Sequence, residues 1–244
     1  MIRGLALLYG VACYLLTGAV VVYAAGFVAD AWVPKSASGG GEATTVAILV
    51  DLSLIALFGL QHSVMARAEF KRLWTQLVPT PIERSTYVLA SDLAFIVLFV
   101  LWQPLPGVVW RFESVIIQVP IWALAIFGII LMSLATFQID HADLFGLRQL
   151  WVYFRGRAPS ELSFQVPTLY RISRHPMMLG MLIALWVTPE MTVGRLVFCA
   201  GMTAYIFVGL RFEERDLRQR FGSDYERYAQ RAPMLIGIPT RGER

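Results

Sequence analysis

The sequence predicts an all-α, polytopic membrane protein: a helical bundle of four spans, then a C-terminal helical hairpin and a cytoplasmic tail. Three observations predict it. The chain is 57% hydrophobic and only 16% charged, with a mean hydropathy of +0.60, whereas a soluble domain carries about 25% charged residues. Its apolar runs approach or exceed the ~20 residues that a transmembrane helix needs. Its basic residues concentrate on alternate loops, as the positive-inside rule requires.

The elements come in order along the chain. "GLALLYGVACYLLTGAVVVYAAGFVA" (4–29) is the first span. One Arg precedes it and no A-x-A cleavage site comes after it, so it reads as a retained span and not a signal peptide. "PKSASGGGEA" reads as a flexible connector to the second span, 44–61, and the third covers 87–102. The fourth runs over 115–137. The runs 176–187 and 193–210 flank "TPEMT" and form a tight hairpin. In the tail, Gly222 ends the last helix, Ser223 or Asp224 caps a short one, and Pro233 and Pro239 stop any further helix. With the N-terminus inside, 18 of the 21 basic residues lie on the cytoplasmic side, leaving Lys35, Arg111 and Arg195 outside. Membrane lipids are therefore the expected surroundings. The net charge of +4 needs no nucleic-acid partner, and no obligate protein partner is evident.

Several chemistries are excluded. The two cysteines, Cys13 and Cys199, lie inside spans and build neither a disulfide framework nor a metal cluster. No GxGxxG opens a strand–helix unit, which rules out a Rossmann-type cofactor fold. The polar chemistry gathers on the inner face. His62, His141 and His175 each sit at the inner end of a span. They lack the local pairing of a zinc site, so no metal is expected. "QIDHADLFGLRQ" (138–149) packs Asp140, His141, Asp143, Arg148 and Gln149 together. Charges at a span exit serve as head-group contacts or as a site. Here Asp143 is placed to polarise His141 as a general base, with His62 as second candidate and Arg148 as electrostatic stabiliser. Asp51 suits a helix–helix hydrogen bond, and Asp92 lies within reach of Arg84 or the inner cluster. The hairpin returns Glu213 and Glu214 to "RISRHP". Cations and paired carboxylates then form a salt-bridge collar, or two halves of a site for a zwitterionic ligand.

Four motifs occur in order near the C-terminus: Arg174-His175-Pro176 with Gly180, Glu213-Glu214, "FGSDYERY" (221–228), and a proline-rich end. This arrangement resembles the membrane methyltransferases related to isoprenylcysteine carboxyl methyltransferase. "LFGLQHSVMAR" (57–67), "DHADLFGLRQLW" (140–151) and "TPEMTVG" (188–194) resemble the branch that contains the bacterial methanethiol S-methyltransferases, with relatives of NnrU and nurim type. The prenylcysteine enzymes have an aromatic two residues after the Pro, where this chain has Met178. That departure suits the small-thiol branch.

The resemblance implies one transmembrane methyltransferase domain over 1–244 in a bacterial inner membrane, with S-adenosylmethionine held by the hairpin and tail of about 169–240. It implies a cofactor site drawn from Tyr170, Arg174, His175, Pro176, Gly180, Glu213, Glu214, Tyr225 and Tyr228. Charge logic agrees: a carboxylate wants cations, an amino group and ribose want acceptors, and adenine wants aromatic walls. The implied reaction methylates a small thiol, methanethiol, to dimethyl sulfide. Methylation of an isoprenylcysteine carboxylate or a lipid, or a non-enzymatic membrane role, are the alternatives.

Overall fold

The computed structural model describes residues 1–40, 44–157 and 165–237. In chain order these form α1 (Ile2–Ala29), α2 (Thr45–Met65), α3 (Ala68–Trp74), α4 (Thr80–Leu101), strand β1 (Val108–Arg111) and α5 (Val115–Ile139). Then come α6 (His141–Leu144), α7 (Leu147–Phe154), α8 (Thr168–Ile172), α9 (Pro176–Trp186), strand β2 (Glu190–Thr192), α10 (Val193–Phe221) and α11 (Ser223–Ala229). The protein is a polytopic helical membrane protein: α1, α2, α4, α5 and α10 are each long and apolar enough to cross a bilayer. At 1.5 Å per residue these helices run roughly 30–45 Å, against a hydrocarbon core of about 30 Å. Many of their large apolar side chains face outward, most completely in α5. In α5 the buried positions are only Ala125, Gly128, Ala135 and Thr136, while Ile116, Val119 and Phe127 are exposed. Small residues inside let backbones approach closely, which is how helices associate in lipid.

The chain divides into two compact units. The first holds residues 1–109, 142–161 and 192–201. In it α4 packs between α1 and α2, and α7 folds back onto α1 and α4. Polar pairs tie the spans: Tyr9 to Thr86 at 3.0 Å, and Thr17 Oγ1 donating to Asp92 at 2.7 Å. Asp92 thus serves the α1–α4 contact. Asp51, fully buried, accepts from the Gln103 amide at 2.8 Å. Gly10 seats α7: a Cβ there would collide with the buried Leu150 side chain. The connector is not loose where it is described. Ala37 is fully buried, its carbonyl accepts from Trp102 Nε1 at 3.0 Å, and Ser38 bonds to Asp30 and Thr192. An indole N–H near this span end needs an acceptor, and the connector backbone supplies it. Gly41, Glu42 and Ala43 lie outside the described residues.

The second unit holds residues 110–141, 162–191 and 202–244. Its centre is the crossing of α5 and α9. Gly180 is placed there: a Cβ on it would meet Gly128 O and Met132 N at 2.5 Å. The hairpin arms differ in a way periodicity does not reveal. α9 has 11 residues, about 16 Å of helix. The chain leaves the helix at an extended Val187 and turns through Thr188 and Pro189, where Thr188 Oγ1 bonds to the Glu190 backbone. His175 faces Glu214 and Trp186 Nε1 donates to Thr203 at 2.8 Å, so the arms run antiparallel and in step. The turn after α9 is covered: Phe112 N donates to Pro189 O at 2.9 Å, and Arg111 grips Glu190 through two bonds of 2.9 and 2.6 Å. α10 ends at Phe221, and Gly222, at φ 51°, caps α11 in place of the expected Ser223 or Asp224. The left-handed turn there is one that glycine adopts without strain. Pro239 lies outside the described residues.

Candidate functional site

Four side chains converge on one carboxylate in the second unit. Glu214, 5% exposed, accepts at Oε1 from Arg174 Nε (2.7 Å), Tyr225 Oη (2.8 Å) and His175 Nε2 (2.9 Å). Its Oε2 accepts from Arg218 at 2.8 Å. Arg174 also donates through one terminal nitrogen to the carbonyls of Ala229 (2.9 Å) and Ala232 (2.8 Å). The backbone does the same: Arg174 N donates to Pro233 O and His175 N to Met234 O. Pro176 starts α9 at the position where its missing N–H costs nothing. These contacts are charge-assisted and hold the tail against the hairpin. His175 Nδ1 also lies 3.5 Å from Glu213, which is half exposed.

The electrostatics of the collar are set by its carboxylates. Burial alone would lower the His175 pKa, but the hydrogen bonds and charges of Glu213 and Glu214 outweigh it and raise the group above its ordinary value. Burial, reinforced by the Glu214 bond and charge, pushes the Tyr225 hydroxyl up. Burial raises Tyr228 to about 12, with Arg174 opposing. Burial and the charge of Glu213 likewise raise Tyr170. All three tyrosines are therefore neutral donors near pH 7. Tyr228 uses its proton on the Tyr170 carbonyl, at 2.6 Å.

Beside the collar lies a cleft of about 550 Å³, lined by Val166, Arg171, Asp224, Arg227, Tyr228 and Arg231. Of the residues assigned to the cofactor site from sequence, Tyr228 alone is in this lining. Arg174 and Glu214 are bound to each other, so they frame the cleft and do not line it. The lining residues missed from sequence had a faint signal. Asp224, Tyr228 and Arg231 fall at helical spacing, the pattern of one face of α11 continued one turn. A charged helix face of that kind is also what ordinary solvation produces.

The remaining candidates divide between the units. In the second, His141 comes just after α5; its Nδ1 hydrogen bonds with Thr136 Oγ1 at 2.8 Å and its ring stacks on Phe137 at 4.3 Å. Burial lowers its pKa, with the Asp140 charge opposing. α8 packs on α5 and reaches the same end, where Leu169 N donates to Gln138 at 2.9 Å. In the first unit Asp143 accepts from Gln149 Nε2 (3.1 Å) and Arg148 (3.4 Å). His62 hydrogen bonds through both ring nitrogens, with Tyr87 at 2.7 Å and Ser91 at 3.0 Å, which ties α2 to α4.

Spans with apolar exteriors and a clamped, charged C-terminal hairpin define a helical integral-membrane protein with a polar site beside the hairpin. Comparison gives the family. Residues 49–238 match the family described as NnrU protein, and the chain belongs to that family. It is 43% identical over 235 residues to a "Methanethiol S-methyltransferase" of Crocosphaera subtropica, covering 96% of this chain and 92% of the relative. It is 44% identical over 242 residues to a protein of the same name in Mycobacterium tuberculosis, covering 99% of each. Human "Nurim" is 31% identical over 202 residues, covering 79% of this chain and 74% of that protein. No solved structure matches the chain.

Proposed function

We propose that the protein transfers a methyl group from S-adenosylmethionine to methanethiol, giving dimethyl sulfide. The observation that carries the proposal is likeness along almost the whole chain to enzymes named for that thiol. The cleft fits the donor. Its volume, about 550 Å³, lies within the ~300–1,000 Å³ of small-molecule sites, and it offers cations, a carboxylate and an aromatic ring to a zwitterion bearing a purine. Arg171 and Arg231 would hold the carboxylate, Asp224 the ammonium and Tyr228 the adenine face. Glu213, half exposed beside His175, is a further acceptor. Tyr170, Arg174, His175, Pro176, Gly180, Glu214 and Tyr225 hold the walls in place. When bound, S-adenosylmethionine supplies a methyl group on a sulfonium, activated toward a nucleophile.

The chain's own task is the thiol. An alkanethiol is mostly protonated at neutral pH, since even Cys has a pKa of about 8.5, and the thiolate is the reactive form. His141 is the base in this proposal. Its lowered pKa keeps the imidazole neutral at pH 7, and it lies in the same unit as the cleft. Arg148 and His62 belong to the hydrogen-bond frame of the first unit.

The purified protein with S-adenosylmethionine and methanethiol is expected to release dimethyl sulfide into the headspace. Arg231→Gln should weaken cofactor affinity about tenfold, the loss of one charge-assisted contact. Absence of cofactor binding by calorimetry would overturn the proposal and leave a non-enzymatic, nurim-like role. Binding without dimethyl sulfide would move the acceptor to a prenylcysteine carboxylate or a lipid.

We also propose that both termini and the 138–175 loop face the cytoplasm of a bacterial cell. That arrangement places 18 of the 21 basic residues inside, and α9 with the turn behind it makes the sixth crossing. Alkaline phosphatase fused after Arg244 should be inactive, and an active fusion would reverse the orientation.

A further inference from the structure

We propose that the start of α1 and the end of α7 form a binding site for an anionic phospholipid, with its phosphate among Arg3, Arg155 and Arg157 and its acyl chains beside Trp151 and Phe154. The inference does not depend on the methyl-transfer function proposed above. α7 lies along α1 in the first unit. Its buried Leu150 seats on Gly10, and Tyr153 and Gly156 reach Arg3, so α7 climbs α1 toward the N-terminus. The chain then turns at Gly156, φ 71°. Gly156 N donates to Tyr153 O and Arg157 N to Val152 O, both at 3.0 Å, the glycine-centred end that many helices adopt. The turn sets Arg155 and Arg157 on either side of Gly156. Arg3 comes to the same glycine from the other helix: a Cβ on Gly156 would lie 2.8 Å from Arg3 Nη1.

Three guanidiniums thus gather at one glycine, all exposed and all permanently charged. No carboxylate among the described residues pairs with any of them. Like charges gathered in this way repel, and an anion among them relieves the repulsion. Arg3 sits over the Tyr153 ring at 5.5 Å and Arg155 over the Trp151 ring at 4.8 Å. Stacking occupies the face of a guanidinium and leaves its N–H fork at the edge, in the geometry that suits a phosphate. Depth selects a lipid as the source of that phosphate. α1 has 28 residues, about 42 Å against a hydrocarbon core of about 30 Å, so its ends reach the head groups. Arg3 is the second residue of the helix, and Gly10 lies about 10 Å further in. Between those levels Trp151 and Phe154, 50% and 42% exposed, stack on each other at 5.9 Å. Cations at the head-group level with aromatic rings just beneath them repeat the order of a phospholipid, phosphate first and acyl chains below.

The test uses the full-length protein purified in detergent. Phosphatidylglycerol and phosphatidylcholine are offered at equal concentration, and native mass spectrometry counts the bound lipids. Wild type should prefer phosphatidylglycerol about tenfold or more, since each cation beside an anionic lipid is worth roughly fivefold. Arg155→Gln/Arg157→Gln should abolish most of that preference. Arg155→Lys/Arg157→Lys keeps the charge and should retain most of it. Arg72→Gln/Arg220→Gln removes the same charge from exposed helix positions elsewhere and should leave the preference unchanged. Neither inorganic phosphate nor glycerol phosphate, which lack acyl chains, should displace the bound lipid. Equal binding of the two lipids by wild type overturns the proposal. So does a control pair that loses as much preference as the glutamine pair, which would make the effect one of overall charge. A lysine pair as impaired as the glutamine pair overturns it too, as does displacement by either soluble phosphate, which would mark a site for a soluble anion.

Discussion

Glu214→Ala should cost more stability than any other single change at the collar, on the order of 3–5 kcal/mol. That is the usual loss when one partner of a buried ion pair is removed. The reason is what stays behind. Arg174, His175, Tyr225 and Arg218 all spend donors on this carboxylate, and alanine takes that acceptor away from all four. The tail should then lose its anchor, since Arg174 also binds the Ala229 and Ala232 carbonyls. Glu214→Gln keeps the shape and an acceptor oxygen and should lose less. Thermal melts in detergent, with protease sensitivity of the tail, measure both. A melting temperature for Glu214→Ala within about 2 °C of wild type (a shift worth about 0.5–1 kcal/mol) would show that the collar is replaceable by water.

His141→Ala should lower kcat about 10²-fold or more, the contribution of a general base, and leave S-adenosylmethionine affinity near wild type. The sign of the pH dependence comes from the lowered pKa. Activity needs the neutral imidazole, which is present above the folded pKa and lost as pH falls through it. Because burial holds that value below the ordinary ~6.5, wild-type activity should persist into mildly acidic buffer. In the alanine variant the rate should instead climb with pH, as hydroxide supplies thiolate that no imidazole makes. Initial rates against pH at matched folded concentration decide it. A variant with unchanged kcat and an unchanged profile removes His141 from the chemistry and returns the search to His62.

The long spans were legible in the sequence because lipid demands continuous apolar length, a condition few other structures meet. α9 was less so. Its apolar run continues to Val187, and nothing in hydropathy says that helix stops at Trp186 and that the chain turns away after Val187. The collar residues were legible as a group, since the hairpin must return Glu213 and Glu214 to Arg174 and His175. Their division of labour was not. Whether Arg174 meets a ligand or Glu214 depends on a 2.7 Å contact that spacing does not encode. The connector failed for a related reason: its glycines and serines read as loose chain, while the burial of Ala37 comes from Trp102, 65 residues away.

The short arm of the hairpin has a consequence for how the protein is made. A segment of 11 helical residues is about half the length that a bilayer accepts as an independent span. Exposed backbone is not tolerated in hydrocarbon, and the partners of the turn behind α9 are made before it: Trp110 Nε1 donates to the Thr188 carbonyl and Phe112 N to the Pro189 carbonyl. α5, against which α9 packs, also precedes it. The side-chain partners arrive later: Thr203 for Trp186, and Glu214 for His175. A short segment of this kind leans on the earlier span to enter the bilayer, while the collar closes only after the far end of α10 has been synthesised.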